Sequence, residues 1–178
     1  MKTSIIAVAM FALSCTIGCT PKAVLDQSTR NNLNNQSITA EKLQFYLDRD
    51  IELKRVITSN DTKLDDGKIT FANGKRIEVI YFKANTPGIC LKSDNNSIDV
   101  TFDTKGNNSL SFKPVLDYKD KAYYTLSGYE KKGDLLLIKY GENIYSIDER
   151  YTGAKILIKR KIAHKTRTKV TKVKGRKL

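Results

Sequence analysis

Asn73-Gly74 stands between the runs Ile69-Thr70-Phe71 and Ile77-Glu78-Val79. A two-residue type I′ turn needs positive φ at both central positions, and Asn-Gly tolerates that well, so the spacing predicts a β-hairpin with strands over 68–72 and 75–82. Similar short runs bounded by turn residues recur at 43–47, 51–58, 89–92, 97–102, 109–113, 122–126, 134–140, 143–147 and 154–158. Asp94-Asn95-Asn96 and Gly141-Glu142 read as further hairpin tips, and Thr86-Pro87-Gly88 as a turn or plain strand connection. No long amphipathic helix competes. The pattern predicts an all-β chain: a single antiparallel meander of roughly eight to eleven strands, curled into a β-sandwich or small barrel.

Ahead of this region, Lys2 is followed by an apolar run from Ile5 to Leu13. The run is too short to span a bilayer, which takes about 20 helical residues, and reads as a signal peptide over residues 1–18. It closes on Thr16-Ile17-Gly18-Cys19, a small residue followed by a cysteine, which resembles the lipobox of bacterial lipoproteins, with Thr16 where that motif usually has leucine. The resemblance implies cleavage before Cys19, a diacylglyceryl thioether on its sulfur and retention at a membrane. Cys15, after Ala12-Leu13-Ser14, is a second candidate. Thr20, where an aspartate would be the alternative, resembles lipoproteins sent on to the outer membrane and implies its periplasmic face. With Cys15 discarded and Cys19 acylated, Cys90 is the one thiol left, so no internal disulfide is available and the core must hold the domain.

Residues 19–39 carry Asn31, Asn32, Asn34, Asn35, Gln36 and Ser37, with only Val24, Leu25 and Leu33 scattered among them. The absence of a sustained apolar period predicts a flexible lipidated tether with a reach of roughly 25 Å, leaving residues 40–158 as the β domain. The formal net charge of +13 is unevenly spread. Residues 159–178 hold Lys159, Arg160, Lys161, Lys165, Arg167, Lys169, Lys172, Lys174, Arg176 and Lys177 and no acid, so ten of the thirteen excess charges lie there. This composition predicts a disordered basic tail that binds polyanions by counterion release. For an exported chain the expected partners are the membrane itself, an envelope polyanion or an acidic protein, with nucleic acid behind them.

Composition restricts the chemistry. His164, in the basic tail, is the only histidine, so a Ser-His or Cys-His pair within the β domain and a histidine-based zinc site are excluded there. Cys90, inside Ile89-Cys90-Leu91, reads as a small buried hydrophobe. Residues 94–99 and 60–67 resemble calcium loops but place Ile98 and Lys63 where ligands belong, so neither a metal nor any other cofactor is expected. Tyr81, Tyr123, Tyr124, Tyr140 and Tyr145 fit strand packing. The carboxylate pairs Asp48/Asp50, Asp117/Asp120 and Asp148/Glu149 leave acid–base catalysis open as a rival. The expectation is a non-enzymatic binding or assembly adaptor of a cell-envelope complex, such as secretion or transfer machinery. Its alternatives are a carboxylate-dependent hydrolase of envelope polymers and an inhibitor or immunity-type lipoprotein.

Overall fold

The computed structural model describes residues 20–58, 67–72, 74–104, 108–128, 130–133 and 135–165. Thirteen strands are present among them. In chain order these are β1 (Lys22–Val24), β2 (Gln44–Leu47), β3 (Ile51–Val56), β4 (Lys68–Ala72), β5 (Lys75–Phe82), β6 (Pro87–Ser93) and β7 (Ile98–Thr101). There follow β8 (Leu110–Leu116), β9 (Ala122–Leu126), β10 (Glu130–Lys132), β11 (Leu135–Tyr140), β12 (Asn143–Ile147) and β13 (Ile156–Lys159). Two helices, α1 (Gln27–Asn35) and α2 (Arg160–Lys165), flank them. Every ladder is antiparallel, and the strands form two sheets, ordered β1-β13-β2-β6-β7-β8-β9 and β10-β11-β12-β3-β5-β4. The fold is an all-β sandwich.

The hairpins sit where turn chemistry puts them. Ala72 pairs with Lys75 and Gly74 has φ +73°, as a two-residue turn requires, while Asn73 lies outside the described residues. Gly141, φ +62°, turns β11 into β12. The meander is local, running through β6–β9 and through β10–β12. Elsewhere the chain changes sheet, so β2 and β3, adjacent in sequence, belong to different layers. Two aspartates pin these crossings. Asp48 Oδ1 accepts from Lys155 N at 2.7 Å, Asp50 Oδ1 accepts from Ala84 N at 2.7 Å, and Tyr81 Oη donates to Asp50. Three inter-sheet corners are thereby tied together by the Asp48-Arg49-Asp50 segment. The positive φ before β6 falls on Asn85 and not on Gly88, whose lack of a side chain serves another need: a Cβ there would stand 2.5 Å from the Phe102 ring.

Alternation along the strands delivers one apolar cluster shared by both sheets, including Phe45 and Leu47, Ile51 and Leu53, Ile98 and Val100, and Ile156 and Ile158. Edge-to-face rings cross it in series: Phe112 to Phe102 at 6.3 Å, Phe102 to Phe82 at 6.1 Å, Phe82 to Tyr140 at 5.6 Å and Tyr140 to Tyr145 at 6.2 Å. Such pairs contribute about 0.5–1.5 kcal/mol each beyond area burial. The series ends on a buried charge: Tyr145 Oη donates to Glu78 Oε2 at 3.1 Å, and Arg55 Nε donates to the same oxygen at 2.6 Å.

Both ends of the domain correct the sequence reading. Residues 22–35 are not a tether but form β1 and α1, so they belong to the folded domain together with residues 40–158. Asp26 caps α1, its Oδ1 accepting from Thr29 N at 2.6 Å. At the other end Ser37, φ +58°, donates its N–H to Asn34 O and Ile38 donates to Leu33 O, a Schellman motif with serine where glycine is usual. Leu25 and Leu33 are fully buried, at 0 and 1 % exposure. Arg30, one turn before Leu33, donates to Tyr124 Oη and to the backbone oxygens of Asp94 and Ser97. One polar helix is thus bolted to the β6–β7 turn and to β9. At the C-terminal end, the expected disordered tail is structured over Lys159–Lys165: Lys159 pairs with Lys22 across the β1–β13 ladder, and Ile162 and Ala163 of α2 pack against the core.

Candidate functional site

The first sheet curls until its ends approach. Tyr124 N of β9 donates to Leu25 O at 3.1 Å and Leu126 N donates to Ala154 O at 2.7 Å, so β9 touches the segments flanking β1 and β13 through isolated bridges and not a full ladder. Where they fail to close, a cleft of about 980 Å³ opens. The first turn of α1 supplies Asp26, Gln27 and Thr29, the β8–β9 turn supplies Asp120 and Lys121, and α2 supplies Arg160 and His164. Val24, Ala122 and Ala163 add apolar lining. The Asp26 carboxylate is already engaged with the amide of Thr29, so the positive end of the helix is partly answered from within.

Beside this cleft the first and last of the described strands meet. Lys22, Ala23 and Val24 pair with Lys159, Ile158 and Leu157, and Arg160 N donates to Pro21 O at 2.8 Å. Lys22 Nζ lies 4.3 Å above the Tyr46 ring and donates to Asn85 Oδ1. Of the residues expected to bind anions, Lys159, Arg160 and Lys161 are brought together here with exposed side chains, and Lys165 closes α2. Arg167, Lys169, Lys172, Lys174, Arg176 and Lys177 lie outside the described residues, as do Cys19 and the signal peptide before it. Thr20, the residue after Cys19, stands two positions from β1.

Four of the carboxylates proposed as catalytic partners, Asp48, Asp50, Asp117 and Asp148, serve turns and corners. Asp117 Oδ1 accepts from Lys119 N at 2.8 Å and from Lys121 N at 3.1 Å, and Asp148 pairs with Arg150 at 3.0 Å. Asp50, Asp94 and Asp148 are held below the usual carboxylate range, by the Tyr81 hydroxyl, the Asn96 amide and the Arg150 guanidinium respectively. A general acid at neutral pH needs the opposite shift. Burial pushes the Cys90 thiol up to about 11, away from thiolate chemistry. Among the described residues no group of three or more His, Cys, Asp or Glu is placed to hold a metal ion, and no helix is long and apolar enough to cross a membrane.

Three features escape the sequence reading. Arg30 sits in a polar run with only Leu33, one helical turn on, to mark its face. Glu78, fully buried in β5, follows the alternation as an inward residue, which is the available signal; its Oε1 has no hydrogen-bond partner among the described residues, and Gly67 makes room, since a Cβ there would stand 2.4 Å from Glu78 Cγ. The third is the tip of the β8–β9 hairpin, where Leu116, the last residue of β8, is 70 % exposed and Tyr118, in the turn, 89 % exposed among charged neighbours. Comparison of the chain with protein-family models, with curated proteins and with solved structures finds no match.

Proposed function

We propose that this protein is a lipid-anchored, non-enzymatic adaptor of the bacterial cell envelope, held through Cys19 at the periplasmic face of the outer membrane. The observation that carries the reading is the β1–β13 ladder with its Arg160–Pro21 hydrogen bond. It brings the residues that follow Cys19 and the start of the basic segment to one end of the sandwich, so an anchor and a polyanion-binding segment act from the same place. The two sheets then remain free to bind a partner through edges or loop tips. The basic residues from Lys159 onward recruit an envelope polyanion or an acidic protein by charge.

Mass spectrometry of membrane-extracted protein should find an acylated peptide beginning at Cys19; an unmodified N-terminus in a soluble fraction ends the anchoring claim. For recruitment, residues 166–178 are deleted, because Lys159 and α2 belong to the fold. Partner recovery from crosslinked envelopes should then fall, and recovery by the full chain should weaken as salt rises from about 50 to 200 mM. Equal recovery by both chains at every salt concentration refutes recruitment by that segment. The hydrolase rival has its best footing in the cleft, which Asp26 and Asp120 both line. Polymer cleavage abolished by Asp120→Asn would decide for it.

A further inference from the structure

The ten large apolar side chains that are most exposed among the described residues are spread over both sheets; Ile89 and Leu91 share one face of β6, and Val115, Leu116 and Tyr118 fall within four consecutive positions at the end of β8 and the turn after it. Their turn is held rigid. Asp117 N donates to Lys121 O at 2.9 Å, Asp120 N donates to Asp117 O at 3.1 Å, and the Asp117 side chain accepts from two further amides. Lys119 Nζ lies 5.2 Å from the Tyr118 ring centroid. A fixed turn that exposes an aliphatic and an aromatic side chain beside lysines has the composition of a bilayer interface contact, where tyrosine is enriched and lysine reaches the headgroups.

Across the cleft from this turn stands α2, with Arg160 and Lys161 exposed, and alongside runs the Lys22–Lys159 pair. We infer that this end of the sandwich lies on an anionic phospholipid bilayer, with Leu116 and Tyr118 entering the headgroup layer and Arg160 and Lys161 pairing with lipid phosphates. The inference deepens the proposed anchoring and rests on it for proximity, since Pro21, two positions after Cys19 in sequence, lies at this same end. Beyond Lys165 the sequence continues with six further lysines and arginines and no acid, which favours an anionic surface again. A tip of three side chains is too small for a standard protein interface of about 800 Å² per partner, but it suffices for a shallow bilayer contact. A second apolar surface, around Val56 and Ile144 on the outer face of the second sheet, belongs to the sheet that does not carry the β1–β13 ladder.

The chain contains no tryptophan, so Tyr118→Trp in the full chain is a single reporter. The protein is placed on vesicles of phosphatidylglycerol with phosphatidylcholine, or of phosphatidylcholine alone, each with brominated acyl chains. Emission from the indole at position 118 should shift to the blue and be quenched on the anionic vesicles, while the indole of a separate Ile144→Trp variant stays unquenched. Adding Arg160→Glu and Lys161→Glu to the Tyr118→Trp chain should weaken association about fivefold per cation lost, with thermal melting unchanged. A position-118 indole that stays accessible to aqueous iodide on anionic vesicles overturns the inference, and so does quenching at position 144 in its place. Shielding of the position-118 indole by delipidated envelope protein but not by vesicles makes the tip a protein contact and overturns it as well. The Cys19 peptide mass separates the two claims. Acylation with the position-118 indole in water removes only the docking face, and an unmodified peptide with that indole quenched removes only the anchor.

Discussion

Helix α1 and the β8–β9 turn are opposites in composition and in burial. Gln27–Asn35 is almost wholly polar, yet it places Leu33 at 1 % and Arg30 at 7 % exposure and spans from β9 to the β6–β7 turn. The end of β8 and the turn after it carry valine, leucine and tyrosine within four residues and leave all three exposed. Local hydropathy ranks the two segments the wrong way round. What decides is whether a concave surface waits for the side chain. The open end of the curled sheet accepts one leucine and one guanidinium, and a hairpin that runs past the core has nothing above it.

The comparison is tested most severely by Leu33→Ala. If α1 is a true part of the core, the change costs about 2–5 kcal/mol in denaturant unfolding, as for other buried leucines, and a loss near zero would return α1 to the status of a tether. Arg30→Leu keeps the bulk but leaves Tyr124 Oη and the Asp94 carbonyl short of a donor, for about 1–3 kcal/mol. Asp26→Ala removes only the cap and should cost about 0.5–2 kcal/mol, with faster hydrogen exchange confined to the first turn of α1.

Tyr81 sharpens the contrast from the other side, being as open as many surface residues yet bonded to Asp50. That bond lowers the carboxyl pKa and raises the phenol to about 12. A carboxylate whose folded pKa is depressed contributes stability above its unfolded value of 3.8, and the contribution is lost as pH falls through the folded value. Tyr81→Phe should therefore lower stability near pH 7 and move the acid unfolding midpoint upward, with the difference from the parent chain fading as pH falls below the folded value. The smallest effect belongs to the tip: Leu116→Ser with Tyr118→Ser should stay within about 0.5 kcal/mol by thermal melting, and a larger loss would mean that the turn is packed after all.

The eleven strands read from alternation and turn residues all recur in the fold, and the hairpins at Gly74 and Gly141 follow from φ preferences that no distant contact needs to supply. β10 escapes that reading because Glu130–Lys132 offers no apolar residue to alternate, and β1 because its three residues are half-buried at a sheet edge. Of the candidate site, the basic residues Lys159, Arg160 and Lys161 are legible as charge, but their place beside Pro21 is not. That juxtaposition rests on a ladder between residues more than 130 positions apart, which carries no local signature.

Strand content, hairpin positions, the likeness of Thr16-Ile17-Gly18-Cys19 to a lipobox and the concentration of charge after Lys159 are properties of short segments, and sequence by itself determines them. The layer each strand joins, the burial of Arg30 and Leu33, the pairing of β1 with β13 and the exposure of Leu116 and Tyr118 were decided by tertiary structure. Each depends on which surfaces remain open once the sheets have curled, and a side chain's free energy is set by that surrounding surface and not by its neighbours along the chain.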